Sequence, residues 1–457
     1  MSEASTSGLA VLSTGLPARA IRETPHSSPA DDAGQGHLPH VVAWNLTQRC
    51  NLACAHCYIA AGDWHSERDD LSTAECHRIS DEILAINPGA MFVLSGGEPL
   101  LRDDLESIAD HATRSGATVV VGTNGTLLTD DRLRSLEDAG VRGFAVSVDS
   151  LDPVYHDRFR HGAGALESTV AGVDRIRERR LDFIVQMTVT RGNRHELAAI
   201  AEWAARRGAV AFNAYFLVAT GRGERMGGLP PEENEEVLAE LLRLERRYRG
   251  RMMVRSKCNP QIMRLAVQDA PDSPLLDYRT RCPCGVHYCR ITPEGKVTPC
   301  PYTPAVAGDL RTHSFEAVWF GSPVLRALRE GELGGKCGRC EYREVCGGCR
   351  ARAHAESGDL LAEDASCAWE PAGGPVVRPD REGLYGAPAR AELPWDAEAR
   401  SRMERIPSFV RAVVTRRIEA FARDRGLDRI TVETLEDVRR AVPARFAGRR
   451  PFFQRED

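Results

Sequence analysis

The sequence predicts an α/β protein built around a parallel β-sheet, and two observations carry that prediction. Six apolar segments of strand length lie between residues 41 and 218, and amphipathic segments of helical length separate them. Parallel neighbours cannot be joined by a tight turn and need a long crossover, which a helix provides. Six strand–helix units in succession therefore favour one parallel sheet covered by helices.

The elements follow in chain order from the spacing of their apolar residues. The predicted strands are 41–46, 91–94, 118–121, 144–148, 183–189 and 210–218. The predicted helices between them are 73–86, 105–114, 131–139, 166–179 and 196–207. A charged amphipathic segment at 230–249 predicts a further helix that bridges to the next domain along a solvated face.

Composition is that of a soluble globular chain. The 457 residues, of which 42% are hydrophobic, are enough for two or three domains. No apolar run approaches the ~18 residues of a membrane span, and residues 1–40 lack the basic start and apolar core of a secretory signal. We therefore expect a cytoplasmic protein. Residues 1–39 are rich in Ser, Ala, Pro and Gly and predict a disordered leader.

Charge and cysteine usage argue against two further classes of protein. The net charge is -5, only three of the 60 basic residues are lysines, and no isolated basic tract stands out. A nucleic-acid partner is therefore not expected. The 14 cysteines are grouped at short spacings in a chain without an evident export signal, which favours metal ligation over disulfides.

Three cysteines directly follow the first predicted strand. Cys50, Cys54 and Cys57 are spaced C-x3-C-x2-C. Thiolates this close in sequence can all turn toward one 4Fe-4S cluster, but three of them leave one iron without a protein ligand. An open metal position is where a substrate or cofactor binds. A structural zinc or redox site is the alternative, with Cys76 as the nearest additional thiol.

This spacing resembles the radical S-adenosylmethionine (SAM) superfamily, in which an aromatic residue often precedes the third cysteine. Here that position holds His56. The resemblance implies that S-adenosyl-L-methionine chelates the open iron and is cleaved by one electron to a 5'-deoxyadenosyl radical. It also implies an open partial (β/α)6 TIM-like barrel, whose site lies at the carboxyl ends of the strands.

Later strand ends supply further residues that the resemblance assigns to this site. Residues 95–98, Ser-Gly-Gly-Glu, resemble the superfamily's GGEP element, in which glycines let backbone groups approach the cofactor. Ser147 and Asp149 share a face by strand alternation and resemble a ribose-binding pair, although Asp149 is alternatively a helix N-cap. Gln186 is either a cofactor contact or a satisfied interior group. No catalytic acid or base is identified, and the expected cofactor-binding residues are Tyr58, Ser95, Gly96, Gly97, Glu98, Thr123, Asn124, Ser147, Asp149, Gln186 and Arg222.

A second cysteine field spans residues 282–367 and contains nine cysteines. Its centre is C-x2-C-x5-C-x2-C from Cys337 to Cys349, and ahead of it Cys289 and Cys300 frame a predicted hairpin with a Pro-Glu-Gly turn. Paired C-x2-C knuckles also suit tetrahedral zinc. The field resembles the SPASM extension of radical SAM enzymes, which carries auxiliary 4Fe-4S clusters. That extension usually ends in C-x5-C-x3-C, whereas this chain has one residue fewer before Cys349.

The SPASM pattern implies one or two auxiliary clusters held by two interleaved sets of ligands. The first expected set is Cys282, Cys289, Cys300 and Cys349, and the second is Cys337, Cys340, Cys346 and Cys367. Cys284 is expected to be a bystander. The isolated Cys76 and Cys258 are expected to be small buried apolar residues.

Two local resemblances narrow the family. Residues 300–304, 346–353 and 358–367 are similar to the radical SAM enzymes of alternative heme biosynthesis, in which the C-x2-C ending also occurs. Those enzymes remove or alter propionate side chains of an iron-tetrapyrrole. Residues 405–411, 422–426 and 430–433 resemble the small C-terminal domain of light-independent protochlorophyllide reductase, within a predicted pair of helices.

These resemblances imply an organisation and a function. The expected domains are a leader at 1–39, a radical SAM partial barrel at 40–224, a helical connector at 225–280, a SPASM domain at 281–371, a linker at 372–393 and an α-helical domain at 394–457. The implied activity is that of a radical SAM oxidoreductase or lyase that modifies or decarboxylates a tetrapyrrole side chain, with ferredoxin or flavodoxin as electron donor. A peptide- or protein-modifying maturase and a non-catalytic iron-sulfur electron carrier are the alternatives.

Overall fold

The computed structural model describes residues 37–66, 68–278, 281–378, 386 and 389–441. Most of the predicted leader and the end of the predicted C-terminal domain lie outside the described residues. No helix in the described part of the chain is long and apolar enough to cross a membrane.

The described residues contain ten strands and sixteen α-helices. The strands are β1 (Val41–Asn45), β2 (Met91–Ser95), β3 (Thr118–Thr123), β4 (Gly143–Ser147), β5 (Asp182–Val189), β6 (Ala211–Phe216), β7 (Met253–Lys257), β8 (Tyr288–Ile291), β9 (Lys296–Thr298) and β10 (Gly308–Asp309). The helices are α1 (Thr73–Ile86), α2 (Leu105–Arg114), α3 (Asp130–Asp138), α4 (Pro153–Arg160), α5 (Ala165–Glu178), α6 (Leu197–Arg207), α7 (Pro231–Tyr248), α8 (Ile262–Asp269), α9 (Leu275–Tyr278), α10 (Phe315–Gly321), α11 (Pro323–Glu330), α12 (Gly335–Arg339), α13 (Arg350–Ser357), α14 (Ala397–Glu404), α15 (Ser408–Asp424) and α16 (Val432–Ala441).

All ten strands belong to one sheet, in the order β10-β9-β8-β1-β2-β3-β4-β5-β6-β7. The pairs from β8 through β1 to β7 are parallel, and β8, β9 and β10 form an antiparallel meander. The edge strands β7 and β10 do not pair with each other, so the sheet stays open. The predicted α/β partial barrel is confirmed, and β7 and β8 add two parallel strands to the six predicted.

Strand alternation gives the sheet one face that packs against the helices and a second face that carries several polar side chains toward the carboxyl ends of its strands. Trp44, Phe92 and Val121 belong to the main hydrophobic core, which lies between the strands and the helices. Asn45 and Ser95, which follow the core residues Trp44 and Leu94, are opposite each other in register and point away from that core. We call this second surface the inner face of the sheet.

Local sequence explains where the crossover helices begin. Ser72 accepts a hydrogen bond from the N-H of Glu75, whose carboxylate accepts one from the N-H of Ser72, so α1 starts with a complete capping box. Thr129 and Asp152 cap α3 and α4 in the same way with their side-chain oxygens. These caps satisfy N-H groups that have no partner within the helix.

The segment expected to be a solvated connector is instead part of the barrel. Helix α7 buries Leu238, Leu241 and Leu244 in the main core, and β7, which follows it, pairs with β6. In the sequence of α7, the many charged residues make an apolar stripe at helical spacing hard to recognise, and this stripe packs on the sheet. Residues 225–257 therefore supply one more helix–strand unit.

The C-terminal helices α14 to α16 form a small core of their own around Trp395, Met403 and Ile418. This module is anchored at the amino ends of β1 and β2. The hydroxyl of Ser408 lies 2.7 Å from Nδ1 of His40, and the N-H of Ser408 donates to the carbonyl of Gly89 at 3.0 Å. The predicted helical module therefore contacts the amino ends of the strands, whereas the cysteine loop follows the carboxyl end of β1.

Candidate active site

The loop after β1, the cysteine loop, brings three thiols together. Cys50, Cys54 and Cys57 pack with Leu52 in one small cluster. The N-H groups of Leu52 and Ala61 lie 3.4 Å from Sγ of Cys50 and 3.3 Å from Sγ of Cys57, and such hydrogen bonds tune cluster thiolates. Burial raises the pKa of Cys50 to about 12 and that of Cys54 to about 11. Metal binding must therefore displace protons from these thiols.

Arg222 and Tyr58, both expected near the cofactor, hold this loop in shape. Nε of Arg222 donates to the carbonyl of Cys54 at 2.8 Å, and its Nη1 donates to the carbonyl of Ala61 at 2.8 Å. Nδ2 of Asn45 donates to the hydroxyl of Tyr58 at 2.8 Å. Because two guanidinium nitrogens of Arg222 bind loop carbonyls, its visible role is to fix the loop.

Gly96 and Gly97 lie against the backbone of the cysteine loop. A Cβ on Gly96, which has φ +144°, would collide with the carbonyl oxygen of Thr47, and one on Gly97 would collide with that of Arg49. The N-H of Gly97 donates to the carbonyl of Thr47 at 2.7 Å. The absence of side chains therefore lets the loop after β1 pack directly on the end of β2.

Glu98 is fully buried and joins the ends of β2 and β3. Its carboxylate accepts hydrogen bonds from the hydroxyl of Thr123 and from the N-H of Asn124, both at 2.8 Å. Nδ2 of Asn124 donates to Asn51 at 2.8 Å and lies 4.0 Å from Sγ of Cys50. Burial raises the pKa of Glu98 to about 7. These expected cofactor residues converge in a network that positions the cysteine loop.

Asp149 differs from its expected role as a ribose ligand. One carboxylate oxygen accepts from Nε and Nη2 of Arg160 at 3.0 and 2.7 Å, and the other accepts from the N-H of Thr188 at 2.7 Å. Burial works to raise the pKa of Asp149, but Arg160 and then His56 outweigh it, and the pKa lies below its usual value. Both carboxylate oxygens of the fully buried Asp149 thus accept hydrogen bonds from the protein, and the residue supports the cysteine loop rather than facing a ligand. It does not cap α4 either, since Asp152 does.

His56, in the position where the motif often has an aromatic residue, is used for internal packing. Its ring stacks on Phe159 with centroids 4.7 Å apart and planes 9° apart. Nε2 of His56 lies 3.9 Å from a carboxylate oxygen of Asp149. Burial lowers the pKa of His56 to about 4, so the ring is neutral near pH 7.

The remaining expected cofactor residues lie on the inner face. Ser147 and Gln186 are opposite each other on β4 and β5, and Nε2 of Gln186 lies 3.4 Å from the hydroxyl of Tyr215. The hydroxyl of Ser95 donates to the carbonyl of Gly122 at 3.3 Å. Ser95 and Ser147 are the last residues of β2 and β4, at the same end of the sheet as the cysteine loop, whereas Gln186 lies within β5.

The cysteine loop fits a 4Fe-4S cluster with three protein ligands. Its donors are three soft thiols with backbone N-H groups near two of them. Among the described residues, no fourth cysteine packs with Cys50, Cys54 and Cys57, and Cys76 lies in the main core instead. The alternative of a closed zinc site that uses Cys76 is therefore not supported by the geometry.

The first auxiliary group differs from the expected set. One small cluster of residues contains Cys258, Cys282, Cys284, Cys300 and Cys349. The side chains of Cys282 and Cys300 are both hydrogen-bonded to that of Cys284. Burial, and then the charges of Cys349 and Cys300, raise the pKa of Cys258 well above its usual value.

Cys289 and Cys284 exchange the places expected for them. Cys289 and Ile291 point into the main core from β8, while Tyr288 and Arg290 point to the inner face. Cys289 is therefore separated from the other thiols, and Cys284 lies among them. Cys289 and the apolar Ile291 are two residues apart in a strand, and this spacing was the signal in the sequence that both face the core. No pattern near Cys258 in the sequence indicates that it joins the other thiols.

The second auxiliary group contains the four cysteines expected together. One small pocket is lined by Cys337, Cys340, Cys346 and Cys367. The N-H groups of Asp364, Tyr342 and Gly348 lie 3.4 to 3.5 Å from the sulfurs of Cys337, Cys340 and Cys346, respectively. The buried carboxylate of Asp364 also accepts from the N-H of Cys349 at 2.8 Å. Asp364 thus connects the two auxiliary groups.

Three family models match the chain. The Radical SAM superfamily matches residues 44–204, the SPASM iron-sulfur cluster-binding domain matches 282–350, and the Proto-chlorophyllide reductase 57 kD subunit family matches 395–439. The AdoMet-dependent heme synthase of Methanosarcina barkeri is 37% identical over 345 residues, which cover 73% of this chain and 98% of that protein. The chain belongs to the radical SAM superfamily. The predicted family, its SPASM extension and its enzymatic nature are therefore confirmed.

Two further comparisons place this radical SAM enzyme more closely. The AdoMet-dependent heme synthase of Nitratidesulfovibrio vulgaris is 35% identical, over 72% of this chain and 92% of that protein. Streptococcus suis SuiB, in its crystal structure bound to S-adenosylmethionine, has a TM-score of 0.60 at 13% identity and covers 73% of this chain and 78% of that one. The likeness to SuiB concerns the fold.

Proposed function

We propose that this radical SAM enzyme modifies a propionate side chain of an iron-tetrapyrrole, with removal of the carboxyl group as the favoured outcome. The observation that carries the proposal is the extent of the heme synthase likeness, which covers 98% of the Methanosarcina barkeri protein. The likeness therefore includes both the barrel and the cysteine-rich extension. The three-thiol loop supports the same class of chemistry, since an iron without a protein ligand is free to bind the cofactor.

Three groups of cysteines would hold iron-sulfur clusters in this proposal. Cys50, Cys54 and Cys57 would hold the cluster that binds SAM, and when bound it supplies the electron that cleaves this cofactor. Two auxiliary sets would each provide four thiolates: Cys282, Cys284, Cys300 and Cys349, and Cys337, Cys340, Cys346 and Cys367. Cys258 lies beside the first set as a fifth thiol. Soft thiolate ligands in sets of four are the usual donors for such clusters.

The protein's own residues hold and orient the cysteine loop. Glu98 connects the ends of β2 and β3 next to the loop, and Arg222 binds two of the loop's carbonyls. Asp149, paired with Arg160, lies 3.9 Å from His56 of the loop. Positioning of this kind and exclusion of water are what a protein contributes when the cofactor carries the chemistry. The inner face is left as the surface where SAM and substrate meet.

The electron donor and the location belong to the same proposal. A small carrier of the ferredoxin or flavodoxin type would supply the electron for cleavage of SAM. All 14 cysteines are free of disulfides, which suits a reducing cytoplasm.

The test is an anaerobic assay of the reconstituted full-length protein with dithionite and SAM. With iron coproporphyrin and a one-electron acceptor present, we expect 5'-deoxyadenosine together with a product that has lost CO2 and two hydrogen atoms. One hydrogen atom goes to the deoxyadenosyl radical, and the other leaves as a proton while its electron passes to the acceptor. If a candidate precursor peptide and not the porphyrin stimulates turnover, the maturase interpretation replaces this one. A protein that forms no 5'-deoxyadenosine with any substrate contradicts the radical mechanism itself.

A further inference from the structure

Arg290 on the inner face has a guanidinium that is only partly satisfied. It lies on β8 opposite Ala43 of β1, and strand alternation turns its side chain away from the main core. Nη1 donates to the carbonyl of Pro301 at 2.8 Å. Nε is buried without a hydrogen-bond partner, and within the described residues no carboxylate pairs with this arginine. A buried donor without an acceptor is destabilising unless a ligand completes it.

Arg290 lies between the cysteine loop and the first auxiliary group. Its guanidinium carbon lies 5.9 Å from the ring centre of Tyr58, the residue directly after Cys57. The carbonyl that binds Nη1 belongs to Pro301, the residue directly after Cys300. Arg290 thus contacts one residue of the cysteine loop and one residue that adjoins the first auxiliary group.

Tyr58, the ring beside Arg290, belongs to a group of tyrosine rings. The rings of Tyr58 and Tyr302 have centroids 5.1 Å apart, and those of Tyr215 and Tyr302 are 6.5 Å apart. Tyr288 lies on the same face of β8 as Arg290. Apolar ring surfaces lower the local dielectric, and a hydrogen bond between charged groups is stronger there than in water.

We propose that Arg290 binds a carboxylate of the substrate through Nε and the adjacent Nη2. The inference rests on the proposed function, in which the substrate is a tetrapyrrole that carries propionates. The planar fork of an arginine matches the two oxygens of a carboxylate, and the bond from Nη1 to Pro301 fixes the plane of that fork. A propionate arm would bring its carboxylate to this fork from the inner face of the sheet. The substrate carboxylate is thereby held between the cysteine loop and the first auxiliary group.

The experiment measures binding of iron coproporphyrin to the reconstituted full-length protein with SAM, by anaerobic absorption titration. Arg290→Gln should weaken binding about 10- to 100-fold, the usual loss for a charge-assisted bond. Arg290→Lys should lie in between, since it keeps the charge and loses the fork. Arg311→Gln is the matched control, because Arg311 lies in the same extension but pairs with Glu75 at 3.1 Å on the outside. Unchanged iron content verifies that each variant folds.

A second probe, the methyl ester of iron coproporphyrin, separates the contribution of the carboxylates from that of the macrocycle. Acid and ester are both titrated in one detergent-containing buffer. The wild-type protein should prefer the free acid, and in Arg290→Gln that preference should shrink by the same factor as the affinity. Equal loss of affinity for acid and ester, or no loss at all, would overturn the role of Arg290. A wild-type protein that binds neither form contradicts the proposed function, and the inference falls with it.

Discussion

The cysteine loop and the cysteine field differ in how they bring thiols together. All three thiols of the loop come from one short segment, which Gly97 and Glu98 brace from the ends of neighbouring parallel strands. The field takes its thiols from separate segments before β8, after β9 and around α12 and α13. Sequence spacing therefore determines which thiols lie together in the cysteine loop. In the cysteine field, tertiary structure determines which thiols lie together.

The two regions share one device, a buried ion pair beside the thiols. Asp149 pairs with Arg160 next to the loop at 2.7 Å, and Asp364 pairs with Arg352 in the field at 3.3 Å. Both carboxylates also accept backbone N-H groups. Each thiol region is therefore supported by one buried ion pair whose carboxylate also binds the backbone.

The largest expected effect comes from removing one thiol of the loop. Cys54→Ala should reduce cleavage of SAM to background, because a three-ligand cluster cannot lose a ligand and keep its geometry. Formation of 5'-deoxyadenosine with dithionite measures this. Cys76→Ala, which removes a buried thiol from the main core, should retain cleavage. Cleavage by Cys54→Ala at the wild-type rate would mean that the motif has been misread.

The next test separates the two cysteines that exchange places in the field. Cys284→Ala should lose about four iron atoms per chain, the content of one auxiliary cluster. Cys289→Ala should keep its iron, since Cys289 packs in the main core, and should lose about 1 kcal/mol of stability from the missing sulfur. Iron analysis of both reconstituted variants measures this difference. The reverse pattern would restore Cys289 as the ligand.

Much of the molecule follows from the sequence, and the failures share a physical cause. Apolar spacing was enough to predict β1 to β6 and their helices, because each element buries its own stripe or face. It was not enough for α7, whose charges hide Leu238 and Leu241, or for Asp149, whose partner Arg160 comes from the next helix. Cys258 and Arg290 gain their significance only from residues far away in the chain. Sequence pattern alone does not report such contacts.

The buried ion pairs should matter to the stability of both regions. Asp149→Asn and Asp364→Asn each leave a buried arginine without its countercharge, so each should lower the free energy of unfolding by about 3–5 kcal/mol. Urea denaturation under anaerobic conditions measures this. Asp131→Asn, which breaks an exposed pair with Arg134, should cost about 0–1 kcal/mol. Losses no larger than that of the control would show that neither pair anchors its region.

A pH dependence of stability is expected at the C-terminal module, away from both thiol regions. Nδ1 of His40 lies 2.7 Å from the hydroxyl of Ser408, and Nε2 lies 3.1 Å from the carbonyl of Gly386. Burial, with a smaller contribution from the charge of Arg411, lowers the pKa of His40 to about 4. The unfolded chain therefore takes up a proton that the folded form does not. Stability should fall by roughly 3 kcal/mol between pH 6.5 and pH 4.

Thermal unfolding of the wild type and of His40→Gln across this pH range measures that dependence. The variant should show a shallower decline, because it lacks the titrating ring. His287 lies close by, with ring centroids 5.4 Å apart, and remains in both proteins. Identical slopes would show that His40 does not control the acid sensitivity of this interface.

The central claim is that three thiols of the cysteine loop leave one iron open for S-adenosylmethionine. Electron-nuclear double resonance of the reduced protein tests it most directly, with the cofactor labelled with ¹⁵N in its amino group and ¹⁷O in its carboxylate. The account predicts hyperfine coupling from both labels to the cluster, and its loss in Cys54→Ala. A reduced cluster with four protein ligands and no coupling to either label would contradict it.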